Sequence, residues 1–185
     1  MGEGMNDDRT LTTPRLTMEP HGLDDFGDIA AMWADPQVTR FIGGAPHSAE
    51  ESWSRLLRLA GCWDLLGFGS WAVRITDNGT FIGSIGFLDA HRSGVDGFGG
   101  NPEIGWALVP AAQGQGFASE AVAAALGWGD GRFGRTVAMI DPGNTGSVAV
   151  AARCGFRYFA DARYKDAPTG LWEFRYPRLS GGLTG

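Results

Sequence analysis

The sequence predicts an α/β (α+β) fold: a mixed, mostly antiparallel central sheet of about seven strands, with helices on both faces. Three observations carry that expectation. The periodic segments run in the order β-α-α-β-β-β-α-β-α-β-β. An Asp77-Asn78-Gly79 step between two strand-like runs is a strong hairpin turn, so the middle of the sheet is antiparallel. Later in the chain helical segments alternate with strands, which requires crossover connections. With 185 residues, 43% hydrophobic and 19% charged, the chain is long enough for one domain with a proper core and cramped for two.

Taken in order, RLTMEP (15–20) gives a first strand and Leu23 to Ala34 a helix. Ser48 followed three residues later by Glu51 forms a capping box and starts a second helix, which runs to about Leu66. SWAVRIT (70–76) alternates, with Trp71, Val73 and Ile75 on one face, and TFIGSIGFLD (80–89) returns after the turn. A glycine-rich loop, RSGVDGFGGN (92–101), leads into a strand over PEIGWALV (102–109). Ser119 to Phe133 reads as a helix, TVAMID (136–141) as a strand and Gly146 to Cys154 as a short helix. FRYFA (156–160) and LWEFRY (171–176) close the list as strands. Residues 1–10 and 179–185 read as flexible tails around a single domain, 11–178.

The net charge is −6, and the only lysine, Lys165, stands among scattered arginines. A nucleic-acid binder shows a basic patch, so no nucleic-acid partner is expected. The acidic balance weakly favours cationic partners. No apolar run approaches the ~20 residues of a membrane span, and the polar start MGEGMNDDRT lacks the apolar core of a signal peptide. The expected setting is therefore cytoplasmic, with no membrane partner. Cys62 and Cys154 lie far apart and read as reduced, buried small side chains. His21, His47 and His91 have no metal-ligand spacing, so no metal is expected.

The most informative stretch is LVPAAQGQGFASEAV (108–122), where a strand breaks at Pro110 and passes through glycines into an alanine-rich helix. A helix start offers unpaired N–H groups and the positive end of the helix dipole, and glycines let a ligand approach the backbone, so Gln113 to Ser119 is a candidate anion cradle. The bland alternative is an ordinary strand-to-helix turn. A P-loop would need a lysine that is absent here. A dinucleotide fingerprint would need Gly or Ala where Ser119 stands, and the loop follows an antiparallel hairpin late in the chain. The pattern that fits is [QR]-x-x-G-x-[GA], carried by Gln113, Gly114, Gln115, Gly116, Phe117 and Ala118.

That pattern resembles the coenzyme A pyrophosphate loop of the GNAT acetyltransferases. EIGWALVPAAQGQGFASEAV resembles the family's strand, loop and helix as one piece, AMIDPGNTGSVAVAARCGF (138–156) its next strand and helix, and LTTPRLTMEP its opening strand. The resemblance spans about residues 11–176 and is nearest to the RimJ/RimL-like branch, the ribosomal-protein-alanine acetyltransferases. It implies a GNAT-like sheet in which a bulge splays the strand 103–109 from the strand 136–141. Pantetheine would lie in that gap, against backbone groups of Leu108 and Val109, with the diphosphate on Gln113, Gly114, Gln115, Gly116, Phe117, Ala118 and Ser119. Asn144 matches a residue that contacts the pantetheine arm; its simpler role is a turn or cap in DPGNTGS.

The resemblance further implies acetyl transfer from acetyl-CoA, a cosubstrate, to a primary amine by direct attack in a ternary complex. Many relatives protonate the departing thiolate with a tyrosine, and this chain has Ala151 at that position. The RimJ/RimL-like branch has a serine matching Ser147, which either serves the sulfur or caps a helix. Glu103 matches a glutamate of that branch and is the candidate base, with a strand-edge ion pair as its simpler reading; Glu173 is the second candidate. Trp33, Trp71, Trp106 and Trp172 lie where walls of an acceptor site could form, although most aromatics are core. The acceptor is a protein N-terminus or a small-molecule amine, and a homodimer is left open. The rival function is a non-catalytic acyl-CoA-binding regulatory module on the same scaffold.

Overall fold

The computed structural model describes residues 8–177. Eight strands form one sheet: β1 (Leu11–Thr12), β2 (Leu16–Pro20), β3 (Ser70–Ile75), β4 (Phe81–Leu88), β5 (Glu103–Leu108), β6 (Arg135–Ile140), β7 (Arg157–Tyr164) and β8 (Ala167–Arg175). The helices are α1 (Phe26–Trp33), α2 (Pro36–Thr39), α3 (Ala49–Leu66), α4 (Phe117–Gly129) and α5 (Thr145–Arg153). The spatial order is β1-β2-β3-β4-β5-β6-β8-β7, and every neighbouring pair is antiparallel except β5 with β6. This is the mixed, mostly antiparallel sheet that the sequence predicts. The additional strand is the two-residue β1, too short to show a period.

Local chemistry sets most boundaries. The Ser48 hydroxyl accepts from the Glu51 amide and the Glu51 carboxylate accepts from the Ser48 amide, the capping box that starts α3. Gly79, at φ +70, closes the turn after β3, with its amide on the Ile75 carbonyl. Asp35 caps the four-residue α2 by accepting from the Gln37 amide, with Pro36 in its first turn. α4 starts at Phe117 rather than Ser119, because Gly116 at φ +83 already serves as its N-cap, and it stops at Gly129, before the extended Asp130. β7 and β8 form a longer hairpin than FRYFA and LWEFRY suggest. Its turn puts Lys165 and Asp166 at φ 50 and 64 without a glycine to announce it.

The sheet separates two apolar clusters. On one face Leu16, Met18, Trp71, Ile85, Phe87 and Ile104 pack with Ala121, Val122 and Ala125 of α4 and Val150 and Ala151 of α5. On the other, Ile29, Met32 and Trp33 of α1 pack with Val38, Leu59, Ala72, Phe81 and Ala107. Trp71 is fully buried and makes edge contacts with Trp63, Trp128 and Phe87, so it belongs to the core and forms no acceptor wall. On the α1 side, His21 Nε2 and the Ser84 hydroxyl share a hydrogen bond of 2.8 Å, and Asp25 accepts from Arg74 at 2.6 Å and from the Gly22 amide at 2.7 Å. Burial opposes the charge on Asp25, but His21, Gly22 and Arg74 outweigh it and bring the carboxyl down to about 2.

Of the expected tails, residues 1–7 and 179–185 lie outside the described residues. Asp8 and Arg9 are tied to the core, because their carbonyls accept from the indoles of Trp128 and Trp71.

Candidate active site

The site grows from the one parallel pair. β5 and β6 pair only at Glu103↔Val137, reinforced by the Val137 amide and the Thr136 hydroxyl, which both donate to the Pro102 carbonyl (3.0 and 2.8 Å). Beyond that point the two strands have no ladder pairs. The β4–β5 ladder is unbroken from Leu88↔Glu103 to Gly83↔Leu108, so the strands diverge without the bulge expected in β5. The open end of the divergence leads to the glycine loop.

There, Gly114 and Gly116 adopt φ +74 and +83, a region that disfavours any side chain. A Cβ at Gly114 would meet nothing within 4 Å, and at Gly116 only the Arg15 guanidinium at 3.5 Å, so the backbone is open to a close approach. The first turn of α4 presents the amides of Phe117, Ala118 and Ser119, and the N-cap Gly116 has no side chain to bond them. The Ser119 hydroxyl is buried and has no hydrogen-bond partner, whereas the Phe117 ring is core and offers only its amide. Gln115 turns away, donating to the Ala111 carbonyl at 2.7 Å. These residues fit a diphosphate: small, glycine-freed backbone donors at the positive end of a helix.

Residues missed in the sequence brace this loop. Arg15 stacks over the Phe117 ring at 4.4 Å, donates to the Gln115 carbonyl, and pairs with Glu120 at 2.6 Å. The Thr13 hydroxyl also donates to Glu120, at 2.6 Å. Thr13 and Arg15 belong to the LTTPRLTMEP segment, but nothing local to either end announces a partner more than a hundred positions away.

Along the gap, both backbone polar groups of Val109 are already used, its amide on Ile82 and its carbonyl by Ala112. The Leu108 carbonyl instead accepts from the Gln113 side chain at 3.0 Å, a partner that rotates away easily. Each of the two carbonyls keeps a second lone pair for a ligand. Across the gap, Asn144 is the N-cap of α5, its side chain accepting from the Ser147 amide at 3.0 Å. The Ser147 hydroxyl in turn accepts from the Trp106 indole at 3.2 Å. Trp106 therefore points toward α5 and does not wall the opposite face. Ala151 is fully buried, which leaves no room at that position for a tyrosine.

Glu103 is buried, and both of its oxygens accept from Arg92 at 2.8 Å. It borders a cavity of about 410 Å³ shared with Arg92, Val95, Phe98 and Asn101. Glu173 is held by Arg175 and Arg135, in that order of effect, and its carboxyl lies below the usual range. Trp172 packs against Tyr158 on the α4 side of the sheet. Cys62 and Cys154 are free thiols, half-buried rather than buried, and burial pushes both thiols up, away from the reactive thiolate.

The family model described as Acetyltransferase (GNAT) domain matches residues 15–157. The chain belongs to the GNAT acetyltransferases. A solved GNAT-family acetyltransferase from Bordetella pertussis is 32% identical, with a TM-score of 0.78 over 89% of this chain and 98% of that one. The uncharacterized N-acetyltransferase p20 of Bacillus licheniformis is 28% identical over 80% of this chain and 82% of its own. A RimL ribosomal L7/L12 α-N-protein acetyltransferase solved with coenzyme A shares the GNAT fold, with a TM-score of 0.73 at 14% identity over 90% of this chain and 97% of that one. Among the described residues no helix is long and apolar enough to cross a membrane.

Proposed function

We propose that this GNAT protein is an N-acetyltransferase of the RimJ/RimL-like kind, moving an acetyl group from acetyl-CoA to a primary amine by direct attack in a ternary complex. One observation carries the reading: β5 and β6 part after Glu103↔Val137, and the gap opens onto the glycine-freed start of α4. Gln113 to Ser119 would hold the diphosphate, and Leu108, Asn144 and Ser147 would flank the pantetheine arm. Acetyl-CoA supplies the activated acetyl group as a thioester.

The chain's own residues handle the protons. The Ser147 oxygen already accepts from Trp106, so its own hydrogen is free to be donated toward a thiolate in the gap. Glu103 spends two of about four lone-pair positions on Arg92, and the remaining ones accept the amine proton directly or through water. Arg92 fixes that carboxylate in place through two parallel hydrogen bonds.

The absence of a tyrosine at Ala151 favours the second reading, a coenzyme-binding regulator without turnover. Thiol release from acetyl-CoA over a panel of primary amines tests both. Amine-dependent release supports the transferase, and tight coenzyme binding with no release from any amine supports the regulator.

A further inference from the structure

Four other arginines beside the sheet each have a carboxylate. Arg15 meets Glu120 and Arg74 meets Asp25 at 2.6 Å, Arg92 meets Glu103 at 2.8 Å, and Arg135 meets Glu173 at 2.6 Å. Arg55 on α3 is the exception: among the described residues no carboxylate pairs with it, and its guanidinium lies over the Trp33 ring at 3.8 Å. Resting on the transferase reading, we infer that the amine acceptor carries a carboxylate, and that Arg55, with the Trp33 indole and His47, binds it.

Four observations support this. Arg55 borders a cavity of about 640 Å³ with His47 and Arg58. Trp33 Nε1 and His47 Nδ1 are both buried without a hydrogen-bond partner, and the His47 ring stacks on Trp33 at 5.3 Å. A buried indole N–H costs free energy until an acceptor meets it, and a carboxylate is acceptor-only. Burial, then Arg58 and Arg92, bring Arg55 down to about 10, with no paired carboxylate to offset them.

The position suits an acceptor. Trp33 belongs to the apolar cluster that includes Ala107 of β5, on the face opposite α4 and α5. An amine entering there meets β5 from the side away from the glycine loop. The chemistry favours a monoanion over phosphate. Glu50 and Glu51 border the same cavity, Glu51 being held by Ser48, and the chain carries a net charge of −6, which repels a dianion more strongly.

The test has a binding arm and a turnover arm. In the first, the ¹⁵N-labelled tryptophan indole signals are recorded, with Trp33→Phe assigning Trp33, during titration with butyrate, butyramide and inorganic phosphate. Butyrate should shift the Trp33 signal saturably, butyramide should not, and Arg55→Met should abolish the shift while keeping the wild-type melting temperature and affinity for acetyl-CoA. In the second arm, thiol release is compared between amino acids and their carboxamides, and between an Ala-Glu-Glu and an Ala-Gln-Gln peptide amide. The carboxylate member should lead by ~10- to 100-fold in kcat/KM, the size of one charge-assisted contact, with the lead lost in Arg55→Met. The two pairs separate a free amino acid from an acidic N-terminus. A butyrate shift without turnover on any amine keeps the carboxylate site and overturns the transferase. Equal turnover of charged and uncharged amines, or a shift with phosphate and not butyrate, overturns the carboxylate site alone.

Discussion

The Trp106 indole donates to the Ser147 hydroxyl at 3.2 Å, joining the strand on one side of the β5–β6 gap to the helix on the other. The bond fixes which way the serine can donate. With its oxygen accepting from the indole, the hydroxyl hydrogen is the group left for a departing sulfur.

Ser147→Ala should therefore lower kcat on the order of 10- to 100-fold and change the KM for acetyl-CoA much less. Trp106→Phe keeps the ring and removes the donor, so it should lower kcat by a smaller factor. Steady-state kinetics on both variants check this. A fall in melting temperature with unchanged kcat would reduce Ser147 to part of the α5 cap.

Gly116 is the α4 N-cap at φ +83. Gly116→Val puts a β-branched side chain into a conformation it does not tolerate and fills the approach to the α4 amides. Calorimetry should show loss of coenzyme A binding in a variant whose circular dichroism stays native. Gly116→Ala, with space for its methyl group 3.5 Å from Arg15, should weaken binding less.

Glu103→Gln keeps the shape but holds Arg92 through one oxygen instead of two. If Glu103 takes the amine proton, kcat/KM should fall most at low pH, where the acceptor amine is protonated, and least at high pH, where free amine is abundant. A loss that is uniform across the pH profile would assign Glu103 to positioning. Stability should drop by about 1–2 kcal/mol in urea denaturation, because a half-buried guanidinium loses an acceptor.

Asp25 gives a pH signature of the fold. Its folded carboxyl lies near 2, below the ordinary value of 3.8. A depressed folded value means that the stabilisation is fully present above the unfolded value and is lost as pH falls through the folded one. Asp25→Asn should thus cost roughly 2 kcal/mol at pH 7. That difference should shrink as pH drops from about 4 toward 2, followed by denaturation of both proteins. A difference independent of pH would mean that Asp25 acts by packing alone.

The sequence made the glycine loop legible because its chemistry is local. Positive φ at Gly114 and Gly116, the strand break at Pro110 and the alanine-rich helix after it all depend on residues a few positions apart. The same holds for the Ser48–Glu51 box and the Asn78-Gly79 turn. What escaped was either too short to show a period, such as β1 and α2, or lacked a marker, such as the glycine-free turn at Lys165 and Asp166. Asp35 before Pro36 was the one readable signal for α2.

By itself, then, the sequence determined the order of the longer elements, the mixed sheet and the family to which the chain belongs, since periodicity, turns and loop chemistry are properties of neighbouring residues. The tertiary structure alone decided what each candidate side chain meets. Trp106 reaches Ser147 across 41 positions, Arg15 meets Glu120 across 105, Arg92 clamps Glu103, and Arg55 lies over Trp33 with no carboxylate paired to it among the described residues. Strand register and helix crossing bring distant residues together, and which arginine meets which carboxylate is settled only once both lie on one folded surface.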